Sequence, residues 1–308
     1  MITVGIDTSN YTTSVAYYDG REHKMLRKIL DVKEGSRGIR QSEGVFIHNR
    51  EIGDMLTQLL STLDKKIAAV GVSTRPRSVE GSYMPVFTVG HGYAKAVAAT
   101  AGVKLYEFSH QDGHIMAGIY SANAYELLNQ PFISVHLSGG TTEILRSEFD
   151  GIGFKNEIIG GTLDISAGQL IDRIGVKMGL KFPCGAEMEK IALQADNALK
   201  LPFSVNGSYA NFSGVETKLI RTINGIDRDI AYSVLCYIRD VLIKTINNAV
   251  NETKINKILI AGGVASNSII RQGLKEKINA DVYFCSRELS TDNAVGIAVL
   301  TAMAEKVK

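Results

Sequence analysis

The apolar positions fall into two kinds of pattern: short unbroken runs ending in hydroxyl residues or glycine, and longer stretches with a helical stripe. Residues 2–7 (ITVGID) and 14–18 (SVAYY) flank a polar turn, TSNYTT, and read as a β-hairpin. The arrangement returns at 132–146, where FISVHL, SGGTT and EILR repeat strand, hydroxyl-and-glycine turn, strand. IAAVGVST (67–74) and INKILIAGGVASN (255–267) echo one another, each behind a helical-looking segment. Nearly continuous apolar runs suit parallel strands buried on both faces. The same hairpin-then-strand order in both halves predicts a duplicated α/β architecture with a cleft between the halves. Ligands in such sheets sit beyond the carboxyl ends of the strands, where the hydroxyl and glycine turns fall.

The helical stripes are clearest at 41–63, with Val45, Ile52, Met55 and Leu59, and at 226–248, with Leu235, Ile238, Leu242 and Ile246. Gly90 to Ala101 is alanine-rich and helix-like. GGTLDISAGQLIDRIGVKMGL (160–180) reads as a glycine turn feeding a helix, with Asp164 near its start and Asp172 two turns later. That separation leaves the carboxylates roughly 80° apart around the axis, which makes no acid–base pair. Near the end, STDNAVGIAVLTAMAEKV predicts a small-residue helix capped by Ser290 or Thr291. Asp292 then falls in the first turn, where the helix field favours the ionised form.

The chemistry centres on FSHQDGHIMAG, just past a strand-like run at 103–108. Ser109 can cap a helix whose third position is Asp112, and His110 and His114 then share one face. Two imidazoles at that spacing can hold one metal ion, or can be unrelated surface histidines. A metal needs a further ligand, and Asp292 is the candidate carboxylate. Residues 111–113 are Gln, Asp and Gly, so the glutamate base of an HExxH protease is missing, and Asp112 points off the histidine face. His23, His48 and His91 are isolated and suit packing or surface positions, while His136 lies within a strand.

The hydroxyl-rich turns are candidate phosphate cradles or plain hairpin turns. Gly262 and Gly263 would let a base or ribose press on main chain, and Asn267 can bond its polar edge. Arg75-Pro76-Arg77 forms a proline-fixed turn whose arginines suit an anionic ligand. Residues 21–40 hold seven Lys/Arg against three Asp/Glu, a solvated surface or a phosphate contact.

Composition narrows the field. A chain of 308 residues accommodates two domains, and 45% apolar with 21% charged residues is ordinary for a soluble globular protein. A net charge of +2 gives no bulk argument for nucleic acid. Three cysteines without a CxxC exclude a disulfide scaffold and a cysteine-rich zinc module, and suit a reducing cytosol. No signal peptide or apolar stretch of membrane length is expected, so the reading is cytoplasmic and without a membrane partner. Thirty glycines, often paired after apolar runs, suggest backbone closely approaching a ligand. No GxSxG supports a serine hydrolase, and a sugar or acetate kinase would need a carboxylate base at the acceptor.

Taken in order, DTSN (7–10), HQDGH (110–114), LSGGT (137–141), FSGVET (212–217), GGVASN (262–267) and TDNA (291–294) resemble the motifs of the TsaD family over nearly the whole chain. The resemblance implies a duplicated actin and sugar-kinase-like (ASKHA) fold of two domains, expected at 1–125 and 126–308, with the final helix returning to the cleft. It implies transfer of threonylcarbamoyl from its adenylate to the amine of the tRNA adenosine beside the anticodon, with a paralogous actin-like subunit and an ATPase subunit as partners. His110, His114 and Asp292 match the metal ligands, for iron or zinc. Asp7 and Ser9 match a hairpin facing metal and phosphate, with no protein nucleophile. Leu137, Ser138, Gly139, Gly140 and Thr141 match the adenylate-contacting segment, and Asp172, Gly185 and Asn267 match the nucleoside site, beside the Gly262 and Gly263 that open GGVASN.

Several positions depart from the family pattern. Glycine-proline-glycine-leucine is Arg75-Pro76-Arg77-Ser78, and the histidine of SGGHT is Thr141. In DDAxGEAxDK an aspartate becomes Ile165 and the glutamate becomes Gln169, the lysine of FSGLKT becomes Glu216, and paired glycines after Pro183 become Cys184-Gly185. Ile165 alone changes the site by a full charge. The pattern is that of a divergent paralogue. A carbamoyl or acyl transferase with another acceptor, or a silent nucleotide-binding partner subunit, are the alternatives.

Overall fold

The computed structural model describes residues 2–9, 11–30, 39–61 and 63–306; Asn10 and residues 31–38 of the basic run lie outside these. The first part of the chain runs β1 (Ile2–Ser9), β2 (Thr12–Tyr18), β3 (His23–Ile29), α1 (Gln41–Leu60), β4 (Ile67–Arg75), α2 (Phe87–Ala101), β5 (Lys104–Ser109) and α3 (His110–Ala122). Next come β6 (Phe132–Leu137), β7 (Thr142–Phe149), β8 (Phe154–Thr162), α4 (Ala167–Lys177), α5 (Gly185–Ala192), β9 (Val205–Asn206), β10 (Tyr209–Ala210), α6 (Ser213–Ile220) and α7 (Arg228–Thr253). The chain finishes with β11 (Lys257–Ala261), α8 (Ser268–Lys277), β12 (Asp281–Phe284) and α9 (Val295–Lys306). Two compact units result: Met1–Asn129 with Glu148–Lys155 and Thr291–Lys308, and Gln130–Ser147 with Asn156–Ser290.

In the first unit the sheet order is β3-β2-β1-β4-β5. β1 is antiparallel to β2, placing Asp7 opposite Ser14, and β2 is antiparallel to β3, placing Ser14 opposite Arg27. β1 and β4 are parallel, as are β4 and β5. Every residue of β1 is buried, which explains its unbroken apolar run. On one face Val4, Ile6, Val15, Val70 and Val72 pack with Ile52, Leu56 and Leu59 of α1 and Ala94 and Ala98 of α2.

The other face carries α9, and glycines make room for it. A Cβ on Gly5 would lie 2.6 Å from the Ala298 nitrogen, and one on Gly71 would lie 3.2 Å from Ile297 Cγ2. Gly5 and Gly71, neither of them in a paired-glycine turn, therefore serve helix-on-sheet packing.

The second unit repeats the plan as β8-β7-β6-β11-β12, with β10 and β9 added beyond β8. β6 is antiparallel to β7 and parallel to β11, which is parallel to β12. The expected stripe of α7 is buried throughout: Leu235, Ile238, Leu242 and Ile246 pack with Ile171, Ile174, Ile258 and Ile260. This repeated two-sheet α/β plan is the ASKHA architecture.

Two helix starts differ from expectation. α9 begins at Val295, and Asn293 caps it by accepting the Val295 amide at 3.0 Å and the Gly296 amide at 3.4 Å. Asp292 therefore sits in the preceding loop, and Ser290 instead donates to the Ser286 carbonyl at 2.8 Å. In a run of Ser, Thr, Asp and Asn every residue is a competent cap, so packing selects the start. α4 begins at Ala167 behind a Ser166–Gln169 capping box. Asp164 lies outside it and accepts the Phe212 and Ser213 amides at 2.9 and 3.0 Å.

Candidate metal centre

The first unit brings His110, His114 and Asp292 together. Ser109 caps α3 through the Asp112 amide, and Asp112 returns the bond to the Ser109 amide at 2.9 Å, a complete capping box. The helix register then puts both imidazoles on one side. His114 Nε2 lies 3.0 Å from His110 Nε2 and 3.2 Å from Asp292 Oδ1, and His110 Nε2 lies 3.5 Å from the same oxygen. All three ligand atoms fall within 4.8 Å of one another. Ligands about 2.1 Å from a tetrahedral zinc are about 3.4 Å apart, so these spacings already fit a divalent ion.

Behind the triad stands Asp7, fully buried. Its Oδ1 pairs with His110 Nδ1 at 2.8 Å and accepts the Ser73 hydroxyl. This carboxylate fixes the ring and leaves Nε2 for a metal. Burial pulls the His110 pKa down, but the charges and hydrogen bonds of Asp7 and Asp292 overcome it and raise it to about 10. Burial pushes Asp292 upward, and the two imidazoles override that and hold it well below the usual carboxylate range. In the metal-free cluster these two carboxylates favour the protonated form of His110.

Three contacts position the Asp292 loop. Ser9 Oγ donates to Asp292 Oδ2 at 3.0 Å, Ser14 Oγ accepts the Ala294 amide at 3.0 Å, and Arg27 reaches Thr291 Oγ1. Asp7, Ser14 and Arg27 are register neighbours across three strands, so one row of the sheet serves both halves of the centre. The helices α3 and α9 also cross closely: a Cβ on Gly296 would overlap the Gly113 carbonyl and lie 2.8 Å from the Ala117 nitrogen.

Sequence reasoning missed Ser14, Ser73 and the Gly113–Gly296 crossing. Only strand register and helix packing reveal them. His48 is buried and bonded to Thr13 Oγ1 at 2.7 Å, outside the triad, and burial lowers its pKa.

The remaining predicted residues lie in the second unit. Ser138 and Thr141 close the β6–β7 turn through Ser138 N to Thr141 O at 2.9 Å and Thr141 N to Ser138 Oγ at 3.1 Å. Gly139 and Gly140 are exposed at its tip, while the Leu137 side chain is buried in the core. The α4 start docks on this turn, with Ser166 Oγ donating to the Gly139 carbonyl at 2.8 Å and Ala167 N to Thr142 Oγ1 at 2.9 Å. Gly262, at φ +105°, lies against the Leu137 backbone and leads into the turn that starts at Gly263.

Asn267 caps α8 by accepting the Ile269 and Ile270 amides at 3.1 and 3.2 Å, which commits its oxygen to the helix. Asp172 accepts the Cys184 amide at 2.8 Å, beside Gly185 at the α5 start, and burial raises its pKa. A cavity of about 310 Å³ in this unit, lined by Leu163, Phe203, Tyr209, Tyr237 and by Gly214 and Val215 of FSGVET among others, contains none of the predicted metal- or adenylate-binding residues.

The sequence profile described as TsaD, tRNA N6-adenosine threonylcarbamoyltransferase, matches residues 37–299. The chain belongs to this family. A relative from Christiangramia forsetii, named tRNA N6-adenosine threonylcarbamoyltransferase, is 32% identical over 82% of this chain and 77% of its own length. One of the same name from Thermosipho africanus is 29% identical, covering 97% of this chain and 93% of its own. Among solved structures, HypF of T. kodakarensis superposes with a TM-score of 0.63 at 14% identity over 99% of this chain and 47% of that one. A ROK family glucokinase from Streptomyces griseus gives 0.55 at 10% identity over 98% and 99%. These structural likenesses concern the fold alone.

Measured against the TsaD pattern, three departures have local partners. Gln169 Oε1 accepts the Ser166 amide at 3.1 Å, a capping role open to glutamine as to glutamate. Glu216 receives Arg173 at 3.1 and 3.2 Å, so its reversed charge is paired. Ile165 packs against the apolar core of the second unit. Among the described residues no helix is long and apolar enough to cross a membrane.

Proposed function

We propose that the protein transfers a threonylcarbamoyl group from threonylcarbamoyl-AMP to the N6 amine of the tRNA adenosine beside the anticodon. The observation carrying this reading is the convergence of His110, His114 and Asp292, with Asp7 orienting His110. The three residues would hold iron or zinc; two imidazoles and a carboxylate suit either. When bound, such an ion supplies Lewis acidity toward a carbonyl or phosphoryl oxygen.

The protein's own part is to hold and orient. Asp7 keeps Nδ1 of His110 engaged, Ser9 steadies Asp292, and the Ser138–Thr141 turn with Gly262, Gly263, Asp172, Gly185 and Asn267 receives the adenylate. The N6 amine forms the new C–N bond and gives up one proton to solvent, while the bond from the carbamoyl carbon to the phosphate oxygen breaks and AMP leaves. No protein nucleophile enters. A paralogous actin-like subunit and an ATPase subunit are the expected partners.

Nucleoside analysis by mass spectrometry tests the reading. Metal-loaded protein, threonylcarbamoyl-AMP, tRNA and candidate partners should yield threonylcarbamoyl-adenosine, and H110A/H114A should yield none. Absence of product with every partner set, while metal and adenylate bind, would refute it. A mass gain on another acceptor in the same assay would select the related-acceptor alternative, which Thr141 and the Arg-Pro-Arg turn motivate.

A further inference from the structure

The Arg-Pro-Arg turn is fastened to the histidine helix. Arg75 ends β4 in register with Ser109, the cap of α3 and the residue before His110. The Pro76 carbonyl accepts the Gln111 amide at 3.0 Å, and Ser78 Oγ donates to Asp112 at 2.9 Å. Asp112 in turn accepts the Phe154 amide at 3.2 Å, so the turn, the helix start and residues 148–155 are tied through one buried carboxylate.

Arg75 is half-buried, and its guanidinium donates to Thr74 Oγ1 at 3.1 Å. Among the described residues no carboxylate pairs with it. A guanidinium has five donors, and a partly desolvated one without a counter-charge is costly unless a ligand supplies the charge. The family pattern has glycine at this position, so the cation is a property of this chain.

We propose that Arg75 is a specificity-determining residue that takes an anionic group, carboxylate or phosphate, of the acyl-adenylate donor beside the metal centre. The donor's identity rests on the transferase reading above. Both groups match the planar fork of arginine in two-point contact, and a lysine would match them less well. A half-buried cation in a fastened turn fits a small anion better than a nucleic-acid backbone.

The test is equilibrium binding to metal-loaded protein by calorimetry, with threonylcarbamoyl-AMP, AMP and tRNA as separate probes. R75A and R75G should weaken the donor about 10- to 100-fold, as loss of a charge-assisted hydrogen bond does, with an intermediate loss for R75K and tRNA unchanged. An equal loss for AMP assigns the phosphate; unchanged AMP assigns the donor's carboxylate. Donor affinity at the native value in R75A and R75G, or a loss confined to tRNA, overturns the proposal. R75K keeps the charge and covers the case in which the smaller variants fail to fold. Native protein that binds the donor but modifies no tRNA would refute the transferase reading and leave the Arg75 result standing.

Discussion

Replacing Gly296 with alanine should separate Asp292 from the histidines without touching any ligand. The added Cβ would overlap the Gly113 carbonyl and lie 2.8 Å from the Ala117 nitrogen. An ordinary contact begins near 3.4 Å, so the second clash alone demands 0.6 Å of movement (3.4 minus 2.8) between α3 and α9. Metal–ligand distances vary by only about 0.2 Å, so a shift of that size carried to the Asp292 loop should weaken coordination by the carboxylate. Overpacking a helix crossing should cost about 1–3 kcal/mol of stability. The assay is chelator competition for zinc alongside thermal melting. Gly92→Ala serves as control: nothing lies within 4 Å of its added Cβ on α2, and alanine there should stabilise by about 0.5–1 kcal/mol with zinc affinity unchanged. Native zinc affinity and melting temperature in G296A would refute the claim that this crossing delivers Asp292.

Asp7→Asn should lower metal affinity about 10- to 100-fold while leaving all three ligands in place, measurable by the same competition. Because the folded pKa of His110 is raised from 6.5 to about 10, its contribution in metal-free protein is complete below 6.5 and lost as pH rises through about 10. Melting with a chelator should show that alkaline loss, and zinc-loaded protein should not, since the ion replaces the proton. Glu216→Lys, which restores the family residue, should cost about 0.5 kcal/mol beside half-exposed Arg173. The R173E/E216K double variant should recover it; denaturant melts of the four proteins give the coupling.

The sequence carried what is local. The twin strand-turn-strand runs, the stripe of α7, the Ser109 cap and the histidine spacing are written in neighbouring residues, because hydrophobic period and capping act within a few positions. Motif order also exposed the Asp292 partnership across the intervening chain. What packing alone decided was how those pieces become a metal centre. Which residue of Ser-Thr-Asp-Asn caps α9 depends on where that helix can seat on Gly5 and Gly71. Asp7 lies behind His110 because parallel pairing aligns β1 with β4 and β4 with β5, and no short-range pattern encodes which strands become neighbours. Glu216 likewise looks like an isolated charge reversal until α4 and α6 set Arg173 beside it.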